Sequence, residues 1–197
     1  KAICQILLCF QRYLPQSKNG RISMLNSYAK AVVELRQMDE EHGDVWKMPS
    51  YNDSLMFAMT EIGEAIDAIL RQKPEYFRNR EFATTGNEVY EEAADVAMML
   101  IKALMIRNVN FDYALFEAWS TKNHSFLNIL LKVASVIPVA IAMENANLDL
   151  ATEQDVEICA IHLIKGIDNE MSEGWFGNRI AEKMNKTRAK IAARKAQ

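Results

Sequence analysis

The sequence predicts an all-α protein, because apolar residues recur at three- and four-residue intervals along successive segments of the chain. Half of the 197 residues are hydrophobic and 25% are charged, which is typical of a compact folded chain rather than a disordered one. Only seven glycines and four prolines are present, and no segment has the alternating pattern of a strand. We therefore expect a helical bundle that forms one domain over residues 22–197.

The first half of the chain is expected to form the core of this domain, over about residues 22–119. Residues 1–21 precede it as a lead-in segment and linker, whose apolar run is too short to span a bilayer. The spacing predicts a first helix over residues 22–42. A second is expected from a cap at Asn52 or Asp53 to about Arg71, and a third over about residues 87–107.

The second half is expected to hold additional helices. A short helix is predicted over about residues 112–122, followed by a segment over 125–144 that Pro138 should kink. The next helix, over 152–171, opens with a sequence similar to a capping box. We interpret about residues 120–174 as a helical insertion and about residues 175–197 as a basic C-terminal helix.

Two pairs of carboxylates interrupt the apolar faces of two predicted helices: Glu61 with Glu64, and Glu92 with Asp95. Residues three apart lie on one helix face about a turn apart, so each pair presents oxygen ligands in one direction. Glu61 projects into the apolar arc, beside Phe57. Enclosed carboxylates require a cation or basic partners, although a single such pair is also common on a solvated helix. Oxygen ligands favour Mg²⁺ or Mn²⁺, and Mg²⁺ held by carboxylates usually accompanies phosphoryl chemistry.

The sequence Glu61-Ile-Gly-Glu64, followed by Glu92-Ala-Ala-Asp95, resembles the ExxE and ExxD signature of the MazG-like, all-α nucleoside triphosphate pyrophosphohydrolases. The resemblance covers about residues 22–119 and, more loosely, the C-terminal helix; the insertion has no counterpart in the shortest members. It implies a MazG-like bundle that hydrolyses a nucleoside triphosphate, often a deoxynucleotide, to the monophosphate and pyrophosphate. It also implies that the four acids hold Mg²⁺.

Glu61 is the expected catalytic base, because it is the acid that apolar neighbours enclose most and its pKa is expected to be raised. Whether Glu61 binds the metal directly or orients the water stays open. The family draws its phosphate-binding Lys and Arg from a helix after the ExxD motif, and we favour a basic cluster near the C-terminus, with alternatives earlier in the chain. The favoured residues are Lys183, Lys186 and Arg188, and the alternatives are Lys122, Arg78 and Arg80.

Base recognition is expected from the segment that precedes the Glu61 helix. Trp46 could supply an aromatic platform and Asn52 hydrogen-bonding groups. The interpretation that Trp46 only packs under the loop is equally favoured. Nothing in the sequence distinguishes one base or sugar from another.

The net charge and the cysteines indicate which partners and which compartment to expect. A formal net charge of −3 argues against a general nucleic-acid binder. The three cysteines form no CxxC pair, so buried thiols in a reducing compartment are expected. We expect a cytoplasmic protein that binds no membrane.

The histidines His42, His124 and His162 stand far apart, and each is expected at the surface or at a helix cap. No Glu is followed by His three residues later, which excludes a carboxylate-bridged di-iron bundle. A non-catalytic helical interaction or regulatory module, in which the acids pair with the basic tail, remains the alternative. The intact set of four acids favours the enzyme, which we expect to be a homodimer or a pseudo-dimeric monomer.

Overall fold

The computed structural model describes residues 20–72, 87–109, 125–146 and 152–195. These residues form six helices and no strand, which confirms the prediction of an all-α bundle. The helices are α1 (Gly20–His42), α2 (Tyr51–Arg71), α3 (Glu88–Ile106), α4 (Phe126–Asn145), α5 (Thr152–Glu170) and α6 (Trp175–Lys195). The predicted helix over 112–122 lies outside the described residues, as do Arg78, Arg80, Lys122 and His124.

Helix α2 is capped by Ser50, so the expected cap at Asn52 or Asp53 was wrong. The Ser50 backbone is extended, its Oγ accepts a hydrogen bond from the Asp53 backbone N–H at 3.1 Å, and it donates to Asp53 Oδ2 at 2.6 Å. A serine followed three residues later by an acid is a variant of the capping box. Ser50 thereby ends the loop over residues 43–50 at a defined position.

Helices α2 and α3 pair in antiparallel orientation. Arg71 lies 3.4 Å from Glu88 at one end, and the Arg107 guanidinium lies 4.8 Å from the centre of the Tyr51 ring at the other. Both helices bury several alanines: Ala58, Ala65 and Ala68 on α2, and Ala93, Ala94 and Ala97 on α3. Because the separation of two packed helices depends on the side chains between them, these alanines allow close approach. Short carboxylates on the two helices can therefore meet.

Helix α5, which the sequence assigned to an insertion, is a central element of the core. Its residues 159–168 are all buried, and it packs against α3 and α4. His162 is among them, so its expected position at the surface or a cap was wrong: a helix covered on every side encloses its polar positions too. Cys159 is a free, buried thiol, as expected, and burial raises its pKa to about 12.

Helix α4 runs through Pro138 as one continuous helix with an exposed apolar face. Leu131 and Val139 are on that face. By length and composition α4 could cross a membrane, and it is the one helix in the described ranges that meets this criterion. Core helices of soluble proteins meet the same criterion, so the observation is weak evidence for a membrane span.

Helix α6 lies parallel to α1, and a buried carboxylate fixes the turn that leads into it. Asp168 accepts hydrogen bonds from Ser27 Oγ and from the Phe176 backbone N–H, both at 2.8 Å. Further along, Lys30 donates to Asn178 at 2.7 Å and Arg188 to Glu34 at 3.0 Å. These contacts set the rotation of α6 about its axis, and therefore which of its basic residues reach the site.

The close approach of α6 to α1 requires glycine at position 177. A Cβ there would lie 2.9 Å from both the Cα and the carbonyl oxygen of Ser27, which are backbone atoms of α1. We expect Gly177→Ala to lower the free energy of unfolding by about 1–3 kcal/mol, as overpacking does. Gly63→Ala is the matched control, since its Cβ would meet nothing within 4 Å.

Gly63→Ala is expected to raise the free energy of unfolding by about 0.5–1 kcal/mol, because Gly63 is exposed and alanine favours a helix more than glycine does. Urea unfolding of the two variants measures the difference. A Gly177→Ala variant as stable as Gly63→Ala would contradict the close packing of these helices.

Candidate metal centre

Three carboxylates converge where α2 and α3 pack together. Glu61 comes from α2, Glu92 and Asp95 come from α3, and one oxygen from each lies within 4.8 Å of the other two. The three-residue spacing places Glu92 and Asp95 on one face of α3, and the small residues between the helices bring Glu61 alongside. All three side chains are half-buried. Such a set of hard oxygen ligands could hold a divalent cation.

Glu64, the fourth predicted ligand, stands at the edge of this group. It is exposed on α2 and is not one of the three converging residues, although it is close enough to raise the pKa of both Glu61 and Glu92. Phe57 is also 49% exposed, so the expectation that it encloses Glu61 was wrong. Glu61 lies at the border of the buried face of α2, since Ile62 is buried whereas Thr60 and Glu64 are exposed.

The cluster raises the pKa of its own carboxyl groups. Burial and then the neighbouring Asp95 raise the pKa of Glu92 to about 7. The pKa of Glu61 is also raised, as expected, first by burial and then by Asp95. Like charges held close together in a partly desolvated place favour protonation. A bound cation would offset this repulsion.

Asp95 has one oxygen paired and one without a partner. Lys183 on α6 donates a hydrogen bond to Asp95 Oδ2. The other oxygen, Oδ1, is buried and accepts no hydrogen bond from the described residues. Buried carboxylate oxygens are nearly always satisfied, so this atom indicates a ligand position that a cation could fill.

A buried lysine, Lys102, lies beside the acids and was missed by the sequence analysis. It is only 5% exposed, and its Nζ lies 4.9 Å from the centre of the Trp46 ring. Burial and then the neighbouring Lys183 lower the pKa of Lys102 to about 8, while Asp95 and Glu61 act in the opposite direction. The signal was available: Lys102 is the one charged residue in the apolar run over 96–106, two turns after Asp95.

Of the three basic residues predicted to bind phosphate, only Lys183 contacts the acid cluster. Lys186 is exposed and pairs with Glu182 at 2.7 Å. Arg188 is held on the other side of α6 by Glu34 and Glu41 of α1, both at 3.0 Å. An arginine not singled out in the sequence, Arg179, pairs with Glu91 at 2.9 Å and attaches α6 to α3 beside the site.

The two residues predicted to recognise a base already have protein partners. Trp46 is half-buried against the core and carries the Lys102 ammonium over its ring. Asn52 donates a hydrogen bond to Asn145 of α4 at 3.0 Å, which joins the start of α2 to the end of α4. Both contacts give these residues structural roles within the described part of the chain.

Comparison with protein-family models, curated proteins and solved structures found no match to this chain. The observed class is an all-α bundle that contains an acidic cluster with the geometry to bind a metal ion. The resemblance to the MazG-like family therefore rests on the two sequence motifs alone.

The raised pKa of Glu92 predicts that acid stabilises the metal-free protein. In the unfolded chain this group titrates near its ordinary value of 4.5, whereas in the fold its pKa is about 7, so between these values the folded state binds more protons. The stabilisation that protonated Glu92 provides is fully present below its unfolded pKa of 4.5, and it is lost as the pH rises through its folded pKa of about 7. We expect the free energy of unfolding to fall by about 1–2 kcal/mol over this window, after allowance for solvent screening.

Urea unfolding in EDTA at several pH values measures this slope. Glu92→Gln is expected to flatten the dependence of the unfolding free energy on pH, because the amide does not titrate. A smaller dependence is expected to remain from Glu61, whose pKa is also raised. Glu153→Gln, which changes an exposed acid at the start of α5, is the control and should keep the slope. An unchanged slope in Glu92→Gln would show that the carboxylate is not destabilised in the fold.

Proposed function

We propose that this chain is a Mg²⁺-dependent nucleoside triphosphate pyrophosphohydrolase of the MazG-like type, which acts in nucleotide-pool housekeeping. The observation that carries the proposal is the convergence of Glu61, Glu92 and Asp95 within 4.8 Å from the two helices that bear the ExxE and ExxD motifs. Mn²⁺ is an alternative ion for the same oxygen ligands.

The residues of the cluster have distinct roles in this proposal. Mg²⁺ held there would supply Lewis acidity toward the phosphates and the attacking water. Asp95 and Glu92 would hold the ion, and Glu61, whose pKa burial and the neighbouring Asp95 raise, would accept the proton of the attacking water. The bond from this water to the α-phosphorus forms as the bond from the α-phosphorus to the bridging oxygen of the β-phosphate breaks. Pyrophosphate leaves and the nucleoside monophosphate remains.

A panel of ribo- and deoxyribonucleoside triphosphates with Mg²⁺ tests the proposal, with pyrophosphate and orthophosphate measured separately. We expect pyrophosphate together with the monophosphate, and no reaction in EDTA. Orthophosphate together with a nucleoside diphosphate, or no hydrolysis of any member of the panel, would contradict the proposal.

A non-catalytic interaction module is the second candidate, because basic residues of α6 already pair with acids of α3. Arg179 contacts Glu91 and Lys183 contacts Asp95. In such a module these ion pairs join the helices and no ion is needed. Mg²⁺ binding by calorimetry distinguishes the two candidates, since the module predicts none.

Lys183 is the basic residue that the proposal assigns to the substrate phosphates. Because its ammonium competes with a cation for Asp95, we expect Lys183→Ala to tighten Mg²⁺ binding several-fold. The same change is expected to raise KM for the triphosphate by about tenfold or more, since a charge-assisted hydrogen bond is lost.

Calorimetry and steady-state kinetics on Lys183→Ala measure these opposite effects. Lys190→Ala is the control, as Lys190 is exposed near the end of the same helix. If Lys183→Ala weakened Mg²⁺ binding, the pairing with Asp95 would be supporting the metal site and not competing with it.

We propose a homodimer or a pseudo-dimeric monomer in the cytoplasm, with the nucleoside triphosphate as the partner of the site and neither nucleic acid nor membrane as a partner. The packing of α4 and α5 against α2 and α3 supports the monomeric form, because the inserted helices cover the acidic helix pair within one chain.

A further inference from the structure

The side chain of Lys102 is buried, but its ammonium group has no acceptor among the described residues. The residue is 5% exposed, and within the described part of the chain its ammonium makes no hydrogen bond and no ion pair. Among the described residues, the ammonium interacts with the ring of Trp46. A lysine whose side chain is this deeply buried usually has a carboxylate partner, as the less buried Lys183 has in Asp95.

The position of Lys102 on α3 directs this group toward the acid cluster. Lys102 is seven residues after Asp95, so the two residues lie on nearly the same face of the helix. Side chains on a helix lean toward its N-terminus, and the lysine stem therefore runs back toward the level of Asp95. The electrostatic influence of Asp95, Glu61 and Lys183 on Lys102 agrees with this direction.

Trp46 holds the ammonium from one side. Its ring centre lies 4.9 Å from Lys102 Nζ, which is a cation–π distance. The loop that carries Trp46 is fixed at both ends: the Trp46 backbone N–H donates to His42 O at 2.6 Å, and Ser50 caps α2. An ammonium has three N–H donors and a ring face satisfies at most one direction, so donors remain for a ligand.

We propose that Lys102 is an anion-binding residue that donates to a phosphate oxygen of a di- or triphosphate held at the acid cluster, and that Trp46 positions its ammonium. The inference rests on the proposed function and extends it, since it assigns Trp46 to the phosphate end of the substrate and not to the base. Lys102 and Lys183 then flank the carboxylates as two separate ammonium groups. An anion that bridges the two ammonium groups would neutralise the positive charge of Lys102, which pairs directly with none of the acids.

Titration of inorganic pyrophosphate into the protein at saturating Mg²⁺, followed by calorimetry, tests this role. We expect Lys102→Met to weaken pyrophosphate binding by about tenfold or more, as loss of a charge-assisted hydrogen bond does. Mg²⁺ affinity is expected to stay the same or to tighten, since a positive charge beside the ligands is removed. Lys102→Gln is a second variant that retains a polar group, and Lys190→Met is the surface control.

Trp46 is tested as a positioning residue by the pair Trp46→Phe and Trp46→Leu. Phenylalanine keeps an aromatic face and is expected to retain pyrophosphate affinity, whereas leucine is expected to lose about threefold. A purely structural role of the ring would leave pyrophosphate affinity equal in the two variants, and that result would overturn the assignment of Trp46.

Pyrophosphate affinity within twofold of wild type in folded Lys102→Met and Lys102→Gln would overturn the assignment of Lys102. The failure of this inference is distinguishable from failure of the proposed function. If pyrophosphate binding requires Lys102 but no triphosphate is hydrolysed, the anion site stands and the enzymatic proposal fails. If hydrolysis occurs and both Lys102 variants bind pyrophosphate normally, the enzyme stands without Lys102.

Discussion

Asp95→Asn is expected to weaken Mg²⁺ binding by at least about a hundredfold, since even residues that only orient metal ligands change affinity by about ten- to a hundredfold. Asp95 is central to the cluster: one of its oxygens is paired with Lys183 and the other is buried without a partner among the described residues. Asparagine retains the size of the side chain but removes the charge that holds a divalent cation. Calorimetric titration of Mg²⁺ into the variant measures the loss.

Glu64→Gln provides a graded comparison in the same experiment. Glu64 is exposed and stands outside the three converging carboxylates, so we expect a smaller loss of affinity, of about tenfold. Glu153→Gln, which changes an exposed acid outside the three converging carboxylates, is expected to bind Mg²⁺ as the wild type does. Undiminished affinity in Asp95→Asn would place the metal site elsewhere.

The contrast between Asp95 and Glu64 shows how far the sequence could predict the site. Helical spacing was sufficient to show that each pair of acids shares a face, because that relation is internal to one helix. Which acids converge depends on the rotation and separation of α2 and α3, and these are set by the buried alanines between them. Spacing along one helix contains no information about that packing.

Helix phase alone separates the basic residues of α6 into different faces. At about 100° per residue, Arg188 is rotated about 140° from Lys183, so the two cannot face the same site. Arg188 instead pairs with Glu34 and Glu41. The prediction that Lys183 and Arg188 both bind phosphate grouped them by their proximity in the chain. Their angular positions around the helix axis are a better guide to whether they face the same site.

The central position of α5 was harder to predict. Its sequence contains the polar residues Glu157, His162, Lys165 and Asp168, which is the pattern of a partly solvated helix. In the structure all four are buried. The expected type of element and its approximate bounds were nevertheless confirmed. Local periodicity determines that a helix forms, whereas its place in the bundle depends on what the other helices leave uncovered.

Glu61→Gln is expected to lower kcat for triphosphate hydrolysis by about a hundredfold or more, because a positioned general base contributes about that much. KM is expected to change much less, since the phosphates are held by other groups. Pyrophosphate release by the wild type and the variant, in the presence of Mg²⁺, measures both constants. Burial and the neighbouring Asp95 raise the pKa of Glu61, which fits a group that must accept a proton.

The same variant decides whether Glu61 binds the ion or orients the water. If Glu61 is a direct ligand, Mg²⁺ affinity is expected to fall together with kcat, as predicted for Asp95→Asn. If Glu61 acts only on the water, Mg²⁺ affinity is retained within about threefold while kcat falls. Hydrolysis in ¹⁸O-labelled water identifies the phosphorus attacked, since attack at the α-phosphorus places the label in the monophosphate. Label found in the pyrophosphate, or full activity in Glu61→Gln, would mean that the carboxylates form a cluster without acting by the mechanism proposed for them.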